Sequence, residues 1–387
     1  MMTRIPARSF RGLNNVSDPQ RLDLSWLTTA DNVDITDTNA VVRCRGFTQR
    51  TSNFAITGAY ATRDLQRLYV VDAGELRQMH ADLTYTVLST GLSSAKMYFE
   101  EVNGVVYATN GVDFLAIEQT RARPWGIPTP DTPDVVIGSG TLDPGTYLVA
   151  CTFVDDRGME SSNSNPAVAV VLSAGSLTIS GIPQLAGYST NVYVTTADGT
   201  VFYRIAAGAP SALTWNGGEM GVEIPFWNLD QPRGTLPAAF QGRMYVAEAF
   251  PEFDQTVIWR SLPLQFHHFD PSGEALAVPG SVRMLRATES VLIIGTERAI
   301  YAWDGEKLML LADYGVVPGY HATVLDDKLL FWSLRGLCRA MPFENLTQST
   351  LSVAPGLVAG ATVMEKDGHR RYVVVLQKGG APYNARP

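Results

Sequence analysis

Met244-Tyr245-Val246-Ala247, Val291-Leu292-Ile293-Ile294, Leu329-Leu330-Phe331-Trp332 and Tyr372-Val373-Val374-Val375 are four short apolar runs in the second half of the chain, from about Leu236 to Leu376. Each sits in the same local pattern. A short apolar strand leads through a polar turn into the run, and a few polar residues lead out to another strand. Two earlier copies occur at Leu68-Tyr69-Val70-Val71 and Val105-Val106-Tyr107-Ala108. The turns that precede the runs include Asn103-Gly104, Gln241-Gly242, Asp326-Asp327 and Asp367-Gly368. These residue types tolerate the positive φ that tight hairpins need.

The spacing of the runs carries the fold reading. Leu68 to Val105 is 37 residues, Met244 to Val291 is 47, Val291 to Leu329 is 38 and Leu329 to Tyr372 is 43. Steps of ~40–50 residues are those of four-stranded propeller blades. One step is longer, the 139 residues from Val105 to Met244. Removing one blade leaves ~100 residues, the size of an immunoglobulin-like sandwich. The sequence therefore predicts an all-β chain: about six propeller blades, with one immunoglobulin- or fibronectin-like β-sandwich inserted between the second and third. The competing reading is an irregular all-β protein whose hairpins merely look periodic.

The expected boundaries follow. Residues 1–29 form an N-terminal arm, 30–133 the first part of the propeller, 134–228 the sandwich and 229–387 the second part, with blades three to six. Stiff proline-rich stretches flank the sandwich, Arg123-Pro124-Trp125-Gly126-Ile127-Pro128-Thr129-Pro130-Asp131-Thr132-Pro133 before it and Asp230-Gln231-Pro232-Arg233-Gly234 after it. Within it, Thr146–Phe153, Leu177–Ile179, Asn191–Val194 and Val201–Ile205 read as strands separated by turn residues. Residues 30–48 read as a hairpin turning at Asp37-Thr38-Asn39. The last blade is short of strands, so this hairpin is expected to pair with residues 361–376 and close the ring.

With 45% apolar and only 18% charged residues, and with 34 Gly and 22 Pro, the composition fits a β-rich, turn-rich chain. A net charge of −8 argues against a general nucleic-acid binder. Cys44, Cys151 and Cys338 have neither metal nor disulfide spacing and read as buried thiols. The first ten residues lack an apolar signal core and no apolar run reaches membrane-spanning length. These features predict a soluble protein made in a cytoplasm, with no membrane contact. Against the acidic whole, Arg4, Arg8, Arg11 and Arg21 make the arm basic. It is a candidate for docking on an acidic neighbouring subunit, or else a solvated tail along its own domain.

Few residues suggest chemistry. His267-His268-Phe269-Asp270 is the one histidine cluster. Adjacent histidines on a regular strand face opposite ways, which disfavours a shared metal ion. A Gly-x-Ser-x-Gly elbow, Asp-box repeats, phosphate-binding glycine loops and a repeated Trp-Asp are all missing. The acids Glu100, Glu101, Asp155, Asp156, Asp326 and Asp327 read as turn carboxylates. Trp259, Tyr301, Trp303, Phe331 and Trp332 read as blade core. The expectation is a non-enzyme with no cofactor and no metal.

Two segments carry a family resemblance. Phe10-Arg11-Gly12-Leu13-Asn14-Asn15, Ala30-Asp31-Asn32-Val33-Asp34-Ile35 and Val42-Arg43-Cys44-Arg45-Gly46-Phe47 resemble the opening of tailed-phage virion proteins. Val257-Ile258-Trp259-Arg260-Ser261, Phe266 and Ile293 through Tyr301 are similar to a stretch of phage tail propellers, the podovirus nozzle (tail tubular B) and packaged-DNA stabilisation proteins. The order of turns and strands within 134–228 resembles fibronectin type III-like modules. The resemblance implies a structural virion protein of the tail or head–tail junction. It also implies a homo-oligomeric ring, sixfold by analogy, with other tail and connector proteins as partners and transient contact with passing DNA. Two alternatives stand beside it: a receptor- or glycan-binding propeller at the tail tip, and a propeller hydrolase built around His267 and His268.

Overall fold

The computed structural model describes residues 10–36, 40–44, 56–229, 231–270, 275–366 and 369–378. The protein is all-β. Two three-residue 3-10 turns, Pro19–Arg21 and Pro251–Phe253, are the only helical elements among the described residues. No helix there is long and apolar enough to cross a membrane. The chain divides into two compact units, residues 56–248 with 257–277, and residues 1–55 with 249–256 and 278–387.

The unit that begins at residue 56 starts with two four-stranded antiparallel meanders. The first is Ile56–Ala61, Leu68–Asp72, Glu75–Met79 and Tyr85–Ser89; the second is Tyr98–Val102, Val105–Thr109, Phe114–Glu118 and Arg121–Pro124. A third meander, Thr235–Phe240, Arg243–Phe250, Gln255–Leu262 and Gln265–Phe269, is extended by Leu276–Pro279, which pairs with Gln255–Leu262. Between the second and third lie two sheets of different topology. One has the order Asp134–Leu142, Gly175–Ser180, Leu213–Trp215; the other has the order Ala167–Val171, Gly145–Val154, Ser189–Thr195, Phe202–Ala206. Tyr147, Val149, Cys151, Leu177, Ile179, Val192 and Val194 from both sheets make one buried core. Their inward positions alternate along each strand, as a sheet with one buried face requires.

The other unit holds two further meanders, spanning 282–312 and 323–345, which share a core of Ile293, Ile300, Val316, Phe331 and Cys338. Its last sheet has three strands. Ala359–Lys366 pairs antiparallel with His369–Leu376 and parallel with Gly319–Tyr320.

Each apolar run singled out in the sequence lies in the second of the consecutive antiparallel strands of its sheet, although Val291 itself precedes Leu292–Thr296. Leu292, Ile293 and Ile294 are fully buried, as are Met244 and Val246. Tyr372, Val373 and Val374 are only half-buried, and Val375 is 68% exposed. The turns behave as their residue types require: Asn103-Gly104, Gln241-Gly242 and Asp326-Asp327 all take positive φ at both positions. Asp367-Gly368 and Asp37-Thr38-Asn39 lie outside the described residues. Cys151 and Cys338 are buried free thiols, whereas Cys44 is half-buried.

The expected ladder between the N-terminal hairpin and residues 361–376 is corrected by the pairing. Val33–Ile35 and Val41–Arg43 make a two-stranded sheet of their own. Gly319–Tyr320 pairs with the start of Ala359–Lys366, at Ala359 and Gly360, and no strand of the hairpin joins this sheet among the described residues. The two segments meet instead through side chains, Asp34 with Arg371 at 2.8 Å.

Candidate functional site

The histidine pair lies on Gln265–Phe269, and its geometry overturns the expectation of opposite faces. Ser261 pairs with Phe269 while the next residue, Leu262, pairs with Gln265. Phe266, His267 and His268 therefore bulge out of the ladder, and strict alternation is lost. The two imidazoles lie against each other, tilted by 43°, with centroids 4.1 Å apart. Phe226, from the segment leaving the two-sheet region, lies 4.1 Å from the His268 ring and edge-on to His267 at 6.5 Å.

Both rings are buried, and each Nε2 lacks a hydrogen-bond partner among the described residues. The Glu160 main chain near His268 favours its charged form. Burial, helped by His268 and Arg157 and opposed by Asp155, lowers His267 to about 3. Burial also lowers His268 to about 4, with the Glu160 carbonyl pulling the other way. Both imidazoles are neutral at pH 7. Neutral nitrogens could ligate a metal, but no group of three His, Cys, Asp or Glu suited to an ion occurs among the described residues. Asp270 is half-buried at the end of the strand.

Beside the pair, one carboxylate oxygen gathers three donors. Glu160 Oε1 accepts from Thr152 Oγ1, from Asn191 Nδ2 at 3.1 Å and from the Tyr193 hydroxyl at 2.6 Å. Burial first, and then the bond to Glu160, raises the Tyr193 phenol. Ser161-Ser162-Asn163-Ser164 follows as a buried polar strip along Gly145–Val154. Ser161 Oγ accepts from Phe153 N and Ser164 Oγ from Cys151 N. Ser162 Oγ and Asn163 Oδ1 accept the backbone N–H groups of Leu229 and Asn228, each at 2.8 Å. The strip thus satisfies its own strand and fastens the outgoing chain.

On the incoming side, the turn Asp155-Asp156-Arg157-Gly158 is tied to the second meander. Arg157 meets Glu118 at 2.5 Å, Arg121 meets Asp156 at 3.3 Å, and Arg123 bonds Asp156 and lies 3.6 Å from Glu118. The Arg123 hydrogen bond is the main cause holding Asp156 below the usual carboxylate range. Trp125 is buried among Tyr107, Phe114 and Phe269 and donates Nε1–H to Phe266 O at 2.8 Å. The sequence offered these residues only as turn acids and a proline-rich linker. An acid–base turn of both signs, placed opposite an Arg-x-Arg pair, was the available signal.

Of the basic arm, Arg4 and Arg8 lie outside the described residues. Arg11 N–H bonds Ser25 O, and the adjacent Gly12–Leu13 pairs with Trp26–Leu27. Arg21 is exposed, 3.9 Å from Asp18. Asn15 exchanges hydrogen bonds with Ser352 at 2.9 and 2.7 Å, and its N–H reaches Thr350 O. The described part of the arm therefore lies on its own unit.

No protein-family model matches the chain, and no curated protein matches it. Among solved structures it is similar to a streptogramin B lyase, with 10% identity, 82% of this chain and 92% of that chain covered, and a TM-score of 0.36. It is also similar to the Hsv2 of Kluyveromyces lactis, with 11% identity, 74% and 73% covered, and a TM-score of 0.25. For the Hsv2 of Kluyveromyces marxianus the values are 10% identity, 84% and 98% covered, and 0.27. Likenesses this distant say nothing of chemistry, ligand or partner.

Proposed function

We propose that this chain is a six-bladed propeller bearing an inserted sandwich, and that it serves as a structural protein of a tailed-phage virion, in the tail or at the head–tail junction. The observation that carries the reading is the way residues 134–229 are fastened within their unit. Salt bridges hold the 155–158 turn, and Ser162 and Asn163 hold the outgoing chain. Trp125 and the closely packed rings of Phe226, His267 and His268 fill the space beside them. Every polar contact there orients a segment. Such a design suits a part that must hold position in an assembly. Six blade-sized sheets strung in order support the propeller, and the phage-like motifs at Phe10–Asn15, Ala30–Ile35 and Val257–Tyr301 supply the setting.

Negative-stain imaging of particles, with an antibody against residues 134–228, tests this. Label on a tail or neck is the expected result. Unlabelled particles, with the protein found only free in the lysate, would reject the virion role.

A further inference from the structure

The sheet built on Gly145–Val154 has an outer face that is only half covered. Toward Phe202–Ala206, Ala150, Tyr193 and Phe202 pack under Ile224, and Trp227 lies 4.5 Å from Phe202. Toward the opposite edge nothing lies over it among the described residues. There Ala167–Val171 turns Ala169 and Val171 into the core and points Val168 and Val170 outward, 62% and 49% exposed, followed by Leu172 at 88%. Val168 stands opposite Leu148 and Val170 opposite Thr146, so the open valines continue the covered apolar face.

This strand is also the last of its sheet. It pairs with Gly145–Val154 alone. Natural edge strands are commonly guarded by lysine, by inward charge or by a bulge. Here no charge guards it: residues 161–197 contain no Asp, Glu, Lys or Arg, in a chain that is 18% charged, and Pro166 stands just before the strand. A partner recognised through charge is therefore a poor fit. The partner that matches is an uncharged strand with alternating apolar residues, and an identical strand offers that pattern without like-charge repulsion.

We infer that Ala167–Val171 is a self-association edge, pairing antiparallel with the same strand of a second copy about a two-fold axis. The sheet would then run continuously across both copies, with Val168, Val170 and Leu172 of each aligned on one face. Such a contact is isologous. It does not depend on the virion role.

Sedimentation equilibrium of the full chain tests it. The wild type should pass from monomer to dimer in the micromolar range, and Val168→Lys with Val170→Lys should weaken this at least tenfold. These side chains are exposed, so the fold tolerates the change. Val222→Lys, 58% exposed and placed by Arg204 at the opposite edge of the same sheet, should leave the dimer unchanged. A wild type that stays monomeric to about 100 µM, well above a micromolar Kd, would overturn the inference. So would an oligomer, sixfold rings included, that the paired lysines leave intact. Neither result would touch the imaging test of the virion role.

Discussion

Asp34 and Arg371, 337 positions apart, form a two-pronged ion pair: Arg371 Nη1 lies 2.8 Å from both carboxylate oxygens. The pair links the N-terminal hairpin to the last sheet, where no backbone ladder joins them among the described residues. An isolated two-stranded hairpin is marginal in water, so this side-chain contact and the Asn15–Ser352 exchange hold the segment. A double-mutant cycle with Asp34→Ala and Arg371→Ala should give a coupling of about 0.5–1 kcal/mol, the range of a partly exposed pair. Limited proteolysis should cut the N-terminal segment faster in either single variant. Cleavage at wild-type rates would mean that the hairpin is held by something else.

The paired buried histidines make stability depend on pH in a defined window. In the unfolded chain each imidazole protonates near pH 6.5. In the fold, His267 and His268 resist protonation until about 3 and about 4. Their depressed values mean that below pH 6.5 the unfolded state takes up protons that the folded state refuses. Stability is full above pH 6.5, falls as the pH drops toward about 3, and levels off once the folded pair is charged too. The urea midpoint of the wild type should follow that course. His267→Gln with His268→Gln removes the titration and should flatten the profile. Parallel profiles in the two proteins would show that carboxylates alone set the acid limb.

Much of the architecture could be read from the apolar runs, because a second strand flanked on both sides must be apolar and short and must follow a tight turn. Met244–Ala247 and Leu329–Trp332 satisfied all three conditions. The histidine geometry could not be read in the same way. Alternation assumes a regular ladder, and the bulge between Ser261 and Leu262 depends on how the neighbouring strand pairs. The hairpin's docking was missed for a related reason. Its sequence announces a strand pair, but its contact with the last sheet is between the side chains of Asp34 and Arg371, which a strand pattern does not specify. The Glu160 network draws on Thr152, Asn191 and Tyr193, from two strands that are adjacent only after folding.

Glu160 gives a sharper test of that network. Removing its carboxylate strands three donors that otherwise meet at one oxygen. Glu160→Ala should therefore cost about 2–4 kcal/mol, since unmet buried donors lose their solvation without recompense. Glu160→Gln keeps an acceptor at the same place and should cost clearly less. Chemical denaturation of both variants at pH 7 decides this. Equal losses would mean that the charge, or mere packing, matters more than the shared acceptor.

The turn Asp326-Asp327 offers a gain of stability. Both residues are left-handed, at φ 49° and 61°, in the position where the other tight hairpins end in glycine: Gly104 at 78° and Gly242 at 72°. A side chain pays a steric cost there that glycine avoids. Asp326 has a further use, since its carboxylate lies 3.4 Å from Arg370. Asp327→Gly should therefore raise stability by about 0.5–1 kcal/mol, less the extra freedom that glycine gives the unfolded chain. Asp326→Gly should gain less, because it also gives up the arginine. The reverse change, Gly242→Ala, should cost about 1 kcal/mol by placing a Cβ at a left-handed position. Thermal unfolding of the three variants would order them as Asp327→Gly above Asp326→Gly above Gly242→Ala. A destabilised Asp327→Gly would show that the Asp327 side chain contributes more to this turn than its backbone strain removes.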